Sequence, residues 1–187
     1  TSYTLTFTSG SLATAAQTIT PTFGTATRAT LTTSANGSAS GSAFTTQPVI
    51  TIKDASGNTV TTSTASVTMT VSTGATTVGT ATVSAVNGIA TFTNVGISGI
   101  DGTPYTLTFT STGLTSATQS ITPTFGTATQ ATLTTPALGS ASGSAFTTQP
   151  VITIKDTFGN TVTNSTASVT MTVSSGTTTV GTTTINA

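Results

Sequence analysis

Apolar and polar residues alternate with a period of two along most of this chain. Tyr3, Leu5 and Phe7 are separated by Thr4 and Thr6, Ile50 and Ile52 by Thr51, and Val67, Met69 and Val71 by Thr68 and Thr70. Successive side chains of a β-strand point to opposite faces, so each run predicts a strand with an apolar face inward and threonine outward. The predicted strands continue as Ala13–Thr20, Ala29–Thr33, Pro48–Asp54, Thr76–Ala85, Ile89–Val95 and Leu114–Thr122. The joints between them carry turn chemistry. Ser34–Ser42 (SANGSASGS) reads as a loop. Asp54–Asn58 reads as a turn, because Asp bonds its own following backbone while Gly57 and Asn58 tolerate positive φ. Asn87-Gly88 between two alternating runs predicts a type I′ hairpin.

The pattern repeats. Ala43–Val60 (AFTTQPVITIKDASGNTV) returns as Ala145–Val162 (AFTTQPVITIKDTFGNTV), an offset of 102 residues that Tyr3/Tyr105, Phe23/Phe125 and Met69/Met171 share. Of the 85 positions in 1–85 that overlap 103–187, 67 are identical. The differences cluster at Gly10/Thr112, Ser11/Gly113, Ala13/Thr115, Asn36/Leu138 and Ala55-Ser56/Thr157-Phe158, mostly turns and loops. The expected organisation is therefore one whole unit, 24–125, between two partial ones. Residues 1–23 supply the last two strands of a preceding unit, and 126–187 supply the first strands of a following one. Only a segment equivalent to Val86–Gly102 is missing between the two pieces. Two readings follow: a long array interrupted at arbitrary points, or a tail that docks with the head of the next copy by strand addition. Because neither a signal peptide nor an initiator Met is present, Thr1 is read as a processed or excised start.

Within the whole unit, Asp101 precedes Tyr105 by four residues and Leu107 follows it by two. Immunoglobulin-like sandwiches carry such a Tyr near the start of strand F, its hydroxyl bonding back to upstream backbone, and antibody domains add an Asp four residues before it and a Cys two after it. Leu107 in place of Cys leaves closure of the core to apolar packing. The motifs Gln47-Pro48-Val49, Lys53-Asp54 with Gly57-Asn58, Ala85–Phe92 (AVNGIATF) and Tyr105-Thr106-Leu107-Thr108 occur in that order. The chain resembles the bacterial immunoglobulin-like, invasin-type tandem repeats of large cell-surface and secreted proteins. That resemblance implies an all-β fold of tandem immunoglobulin-like β-sandwiches, here with period 102, used as a building block and naming no ligand. In its terms, 1–23 supplies strands F and G, and 126–187 strands A to D.

Composition narrows the function. The charged side chains are Arg28, Lys53, Lys155, Asp54, Asp101 and Asp156, with net charge zero and no His, Glu, Cys or Trp. Thr and Ser make up 81 of 187 residues. Such β-branched content at zero net charge fits a turn-rich all-β protein rather than a disordered one. No basic patch exists to neutralise phosphates, which argues against nucleic-acid binding. No apolar run reaches the ~20 residues of a membrane span. Zero cysteines, sparse Lys and Arg, and hydroxyls able to carry glycans favour an extracellular or cell-surface setting.

Catalysis has almost nothing to work with. General acid–base and nucleophilic chemistry need His, Cys, Glu or paired carboxylates, so we expect a non-enzyme with no catalytic, cofactor-binding or metal-binding residues. Asp54, Asp156 and Asp101 are the candidate calcium ligands, but calcium takes six to eight oxygens, and turn capping accounts for Asp54 and Asp156 more simply. An isopeptide bond at Lys53 or Lys155 requires an inward lysine, whereas Ile50 and Ile52 occupy the opposite face. Outward threonine is ordinary strand composition rather than an ice-binding array. Asn36-Gly37-Ser38 and Asn164-Ser165-Thr166 match the N-glycosylation sequon. Phe23 and Phe125, at the linkers, are read either as packing between neighbours or as buried within their own unit. The strands around Val67–Val71 and Thr76–Val83 lack the charges and prolines that guard sheet edges. The expected function is thus a structural repeat of an extracellular filament or surface-layer protein that associates with itself, the alternative being a non-binding spacer stalk of a large bacterial adhesin.

Overall fold

The alternating runs become strands. The computed structural model describes residues 2–139 and 141–187; Thr1, read as a processed start, lies outside them. The strands are β1 (Tyr3–Phe7), β2 (Ala15–Ile19), β3 (Ala26–Thr33), β4 (Ser42–Ala43), β5 (Val49–Asp54), β6 (Ser66–Val71), β7 (Thr76–Gly79) and β8 (Thr82–Ser84). They continue as β9 (Ile89–Thr91), β10 (Val95–Ser98), β11 (Tyr105–Thr110), β12 (Ala117–Ile121), β13 (Ala128–Thr135), β14 (Val151–Asp156), β15 (Ser168–Thr170) and β16 (Thr184–Asn186). No helix occurs among the described residues, and none is long and apolar enough to cross a membrane. The protein is all-β, with several sheets arranged as a β-sandwich.

Residues 26–121 build the sandwich from three antiparallel sheets ordered β12-β11-β6-β8, β3-β5-β9 and β4-β10-β7. In the first, Leu107 pairs with Val71 and Phe109 with Met69. In the second, Ile52 pairs with Ala29, and Ile50 with Leu31 on one side and Ala90 on the other. One cluster of buried apolar side chains drawn from these sheets forms the core, including Ile50, Ile52, Val67, Met69, Phe92, Leu107 and Phe109. Phe92 and Phe109 meet edge to face with centroids 5.8 Å apart, a geometry worth about 0.5–1.5 kcal/mol beyond the area it buries.

Two expected strands each divide in two. The run Thr76–Ala85 splits into β7 and β8, and Ile89–Val95 gives way to β9 and β10, the members of each pair lying in different sheets. Both breaks meet at Asn94. Gly79 has φ of 74°, and a Cβ there would overlap the Asn94 carbonyl oxygen, which also accepts from Thr80 N–H at 3.0 Å. The chain thus changes sheets at a tight crossing that only glycine fits, as corners of sandwiches require. Asn87 and Gly88 do form the two-residue hairpin, with φ of 53° and 76° and reciprocal bonds between Val86 and Ile89. It joins strands of opposite sheets, so the hairpin extends no further than that bridge. In the Asp54–Asn58 turn only Gly57 takes positive φ, at 90°.

The flanking segments repeat the central pairings. β1 and β2 pair Tyr3 with Ile19 and Phe7 with Ala15, as β11 and β12 pair Tyr105 with Ile121 and Phe109 with Ala117. β13 and β14 pair Ala128 with Asp156 and Leu133 with Ile152, with irregularities at the same two places as in β3 and β5. β15 pairs with β16 as β6 does with β8. The opposite edge of β15, where β6 meets β11, has no strand partner among the described residues.

Candidate functional site

Tyr105 fixes the corner that leads into β11. Its hydroxyl donates to the Gly74 carbonyl at 3.2 Å and accepts from Ile100 N–H at 3.1 Å. The ring fills the space beside Gly99, where a Cβ would lie 2.7 Å from it. Ser40 Oγ accepts the Gly99 N–H at 3.0 Å and donates to the Gly99 carbonyl at 2.9 Å, so the corner offers the following segment the second lone pair of that carbonyl and the Asp101 N–H.

That segment is the turn after β14. Asp156 ends the strand and is buried, together with Asn160. Asp156 Oδ1 accepts the N–H groups of Phe158 and Asn160, both at 2.9 Å. Its Oδ2 accepts the Asn160 carboxamide at 2.8 Å and the linker Gly126 N–H at 2.8 Å. Asn160, oriented in this way, donates from Nδ2 to the Gly99 carbonyl at 3.0 Å and accepts the Asp101 N–H on Oδ1 at 2.9 Å. One carboxamide thus imitates a strand neighbour across the joint. Above it the linker is zipped to the loop after β3: Thr124 N–H donates to Ser38 and Ser40 N–H donates to Thr124. Gly126 is buried there, since a Cβ would overlap the Ser40 carbonyl oxygen.

Electrostatics at this joint follow from donor count. For Asp156, burial opposes ionisation, but hydrogen bonds from Gly126, Asn160 and Phe158 outweigh it and hold the carboxyl below its ordinary value. The equivalent Asp54 is lowered to about 2, chiefly by Gly24 N–H and the Asn58 side chain. Both act as turn-capping anions. Among the described residues no three of His, Cys, Asp and Glu come together as metal ligands would.

Other sequence-derived candidates lie elsewhere. Lys53 and Lys155 are half-buried at strand ends, and Phe23 and Phe125 are half-buried on the linkers; neither Phe belongs to the core of the central sandwich. Asp101 enters the joint through its backbone N–H alone.

Two glutamines escaped the sequence reading. Gln47 donates to the carbonyls of Phe44 and Val95 and accepts Val95 N–H, stitching β10 to the loop before β5. Gln119 accepts Ala35 N–H and donates to the Ala35 carbonyl, closing the β3 loop onto β12. Gln47 stood inside the quoted Gln-Pro-Val motif; Gln119 carried no signal beyond its return as Gln17.

No family model matches the sequence, and no curated protein does. Among solved structures, a β-glucuronidase from Parabacteroides merdae overlaps 59% of this chain and 15% of its own, at 15% identity and a TM-score of 0.42. A glycosyl hydrolase family 2 member from Bacteroides cellulosilyticus overlaps 58% of this chain and 16% of its own, again at 15% identity and 0.42. The chain thus spans about one-sixth of the length of either enzyme. Likeness at this level assigns neither family nor activity to the chain.

Proposed function

We propose that the chain is a structural repeat, of period 102, of an extracellular filament or surface-layer protein, its immunoglobulin-like units associating with further copies of themselves. The observation that carries this reading is one hairpin met in two environments. In the sandwich, Tyr105, Leu107, Phe109 and Ile121 are at most 9% exposed. Tyr3, Leu5, Phe7 and Ile19, the same residues in the same register, are 42–58% exposed. A surface whose twin closes a core is suited to being covered by another unit. Its complement is present as well. An open groove of about 550 Å³ lies between β14 and the β15–β16 pair and is lined by Phe146, Ile152, Met171 and Val173, the equivalents of Phe44, Ile50, Met69 and Val71 in and against the central core.

Covering four such side chains, each already about half-covered, is worth about 3–6 kcal/mol at 1.5–3 kcal/mol for each one fully buried from full exposure. Association costs about 4–15 kcal/mol. The balance is close, so contact between separate chains is predicted to depend on concentration. The outer edges of β7 and β8 add a lateral route: Ser66–Ser84 contains no charge and no proline, the devices that normally blunt such edges.

The test is mass by light scattering over a concentration series, with electron microscopy of the concentrated sample. We expect mass to rise above the 18.2 kDa of one chain and fibres or sheets to appear. A monodisperse 18.2 kDa species at every concentration would contradict self-association. It would leave the second reading, a non-binding spacer stalk, which the hydrogen-bonded joint at Asn160 favours because it fixes neighbouring units within one chain.

A further inference from the structure

We propose that Asn58 is the receiving half of a second joint, and that its partner is the Gly-x-Asp corner of a like unit placed ahead of Thr1. The inference rests on the reading of the chain as a repeated unit. It adds which residues hold one unit to the next.

The turns Asp54–Asn58 and Asp156–Asn160 are built alike. In each, the Asn N–H reaches Asp Oδ1 (2.8 and 2.9 Å) and the carboxamide reaches Oδ2 (3.0 and 2.8 Å). The Asp N–H donates to the Asn carbonyl (3.0 and 2.9 Å), and the Gly N–H to the Asp carbonyl (3.1 Å in both). The linker glycines Gly24 and Gly126 donate to Oδ2 at 2.7 and 2.8 Å. The two Asn side chains differ in what lies beyond the turn. Asn160 is 7% exposed and bridges Gly99 and Asp101. Asn58 is exposed, and its carboxamide bonds to Asp54 alone among the described residues.

A second difference points to the same place. Gly126 is buried under Ser40, whereas Gly24 is exposed and a Cβ on it would meet only Asp54, at 3.6 Å. Both differences vanish if a unit stands ahead of Gly24 as residues 26–121 stand ahead of Gly126. The turn at Asn58 holds the docking geometry without its partner, so the ordering cost of docking is already met.

The corner is recognised through backbone, by one carbonyl and the N–H two residues on. Its shape is set by Tyr105 packing on Gly99. Tyr3 occupies Tyr105's place in the opening hairpin, so a corner joined directly to Thr1 would stand to Asn58 as Gly99–Asp101 stands to Asn160. The corner lies between two successive strands of a whole unit, as Gly99–Asp101 lies between β10 and β11, and we place the joint within a continuous array.

The experiment compares the chain as it stands with one extended by a second copy of residues 24–102 fused to Thr1, each as wild type, N58A and N160A. Amide hydrogen exchange is read at the Asp N–H of each corner. In the unextended chain, N160A should speed exchange at Asp101 about tenfold, and N58A should leave it unchanged. In the extended chain the added corner's Asp amide should be protected, and N58A should release it by a similar factor. Equal exchange at that amide in extended wild type and N58A would overturn the proposal. The β11 amides report in the same spectra whether the units are folded. An added unit that failed to close on residues 3–19 would overturn both the joint and the repeated-unit reading. Loss of self-association alone would leave the joint standing, since the extended chain is measured as a monomer.

Discussion

A carboxylate at the end of a strand does the work of a fastener in this protein. Asp54 and Asp156 each gather donors from their own turn and from a linker glycine. Their folded-state pKa lies below the ordinary aspartate value of 3.8, at about 2 for Asp54. A lowered pKa stabilises the fold above the unfolded value, and that contribution is lost as pH falls through the folded one. Thermal stability should therefore be level from neutrality to about pH 4.5 and decline between about pH 4 and pH 2. A D54N/D156N double variant should be less stable at neutral pH and flatter in that window; a parallel decline in variant and wild type would refute the assignment. Tyr105 tests the other fixed corner. Y105F loses the bond to Gly74 and leaves Ile100 N–H unpaired, and should cost about 1–3 kcal/mol in urea denaturation. The Asp–Tyr spacing made Tyr105 legible in advance. Asn160 was legible only as a turn residue, because its second role depends on a corner 59 residues earlier that no local pattern reveals.

At the scale of elements, the period-two pattern located the strands and their inward faces. Val67 and Met69 on β6 are buried, as are Tyr105, Leu107 and Phe109 on β11. The alternation slips by one residue between Val78 and Ala81 and between Phe92 and Val95, but a slip of phase does not tell a bulge from a change of sheet. The change of sheet is fixed by the crossing of Gly79 and Asn94, which no local pattern contains. G79A should destabilise by about 2–4 kcal/mol, combining a left-handed backbone penalty with forced displacement of Asn94. F92A, which empties the core beside Phe109, should cost about 3–5 kcal/mol. A cost near zero for G79A in denaturant titration would mean that the crossing relaxes freely, contrary to the overlap with the Asn94 carbonyl oxygen.

For the whole molecule, the central fact is that like sequences sit in unlike surroundings. The hairpin of β1 and β2 and the half-open sheets of β13–β16 carry side chains whose counterparts close the central core, and in the flanking segments most of those side chains are more exposed. The offset of 102 in the sequence predicted the copies; it could not say which surfaces each copy leaves uncovered. The most direct measurement is amide hydrogen exchange of β1 and β15 at low and high protein concentration. Both strands should gain protection together as concentration rises, while β5 and β11 stay protected throughout. Association that grows with β1 and β15 still exchanging freely would contradict this, and so would exchange at both strands that is independent of concentration.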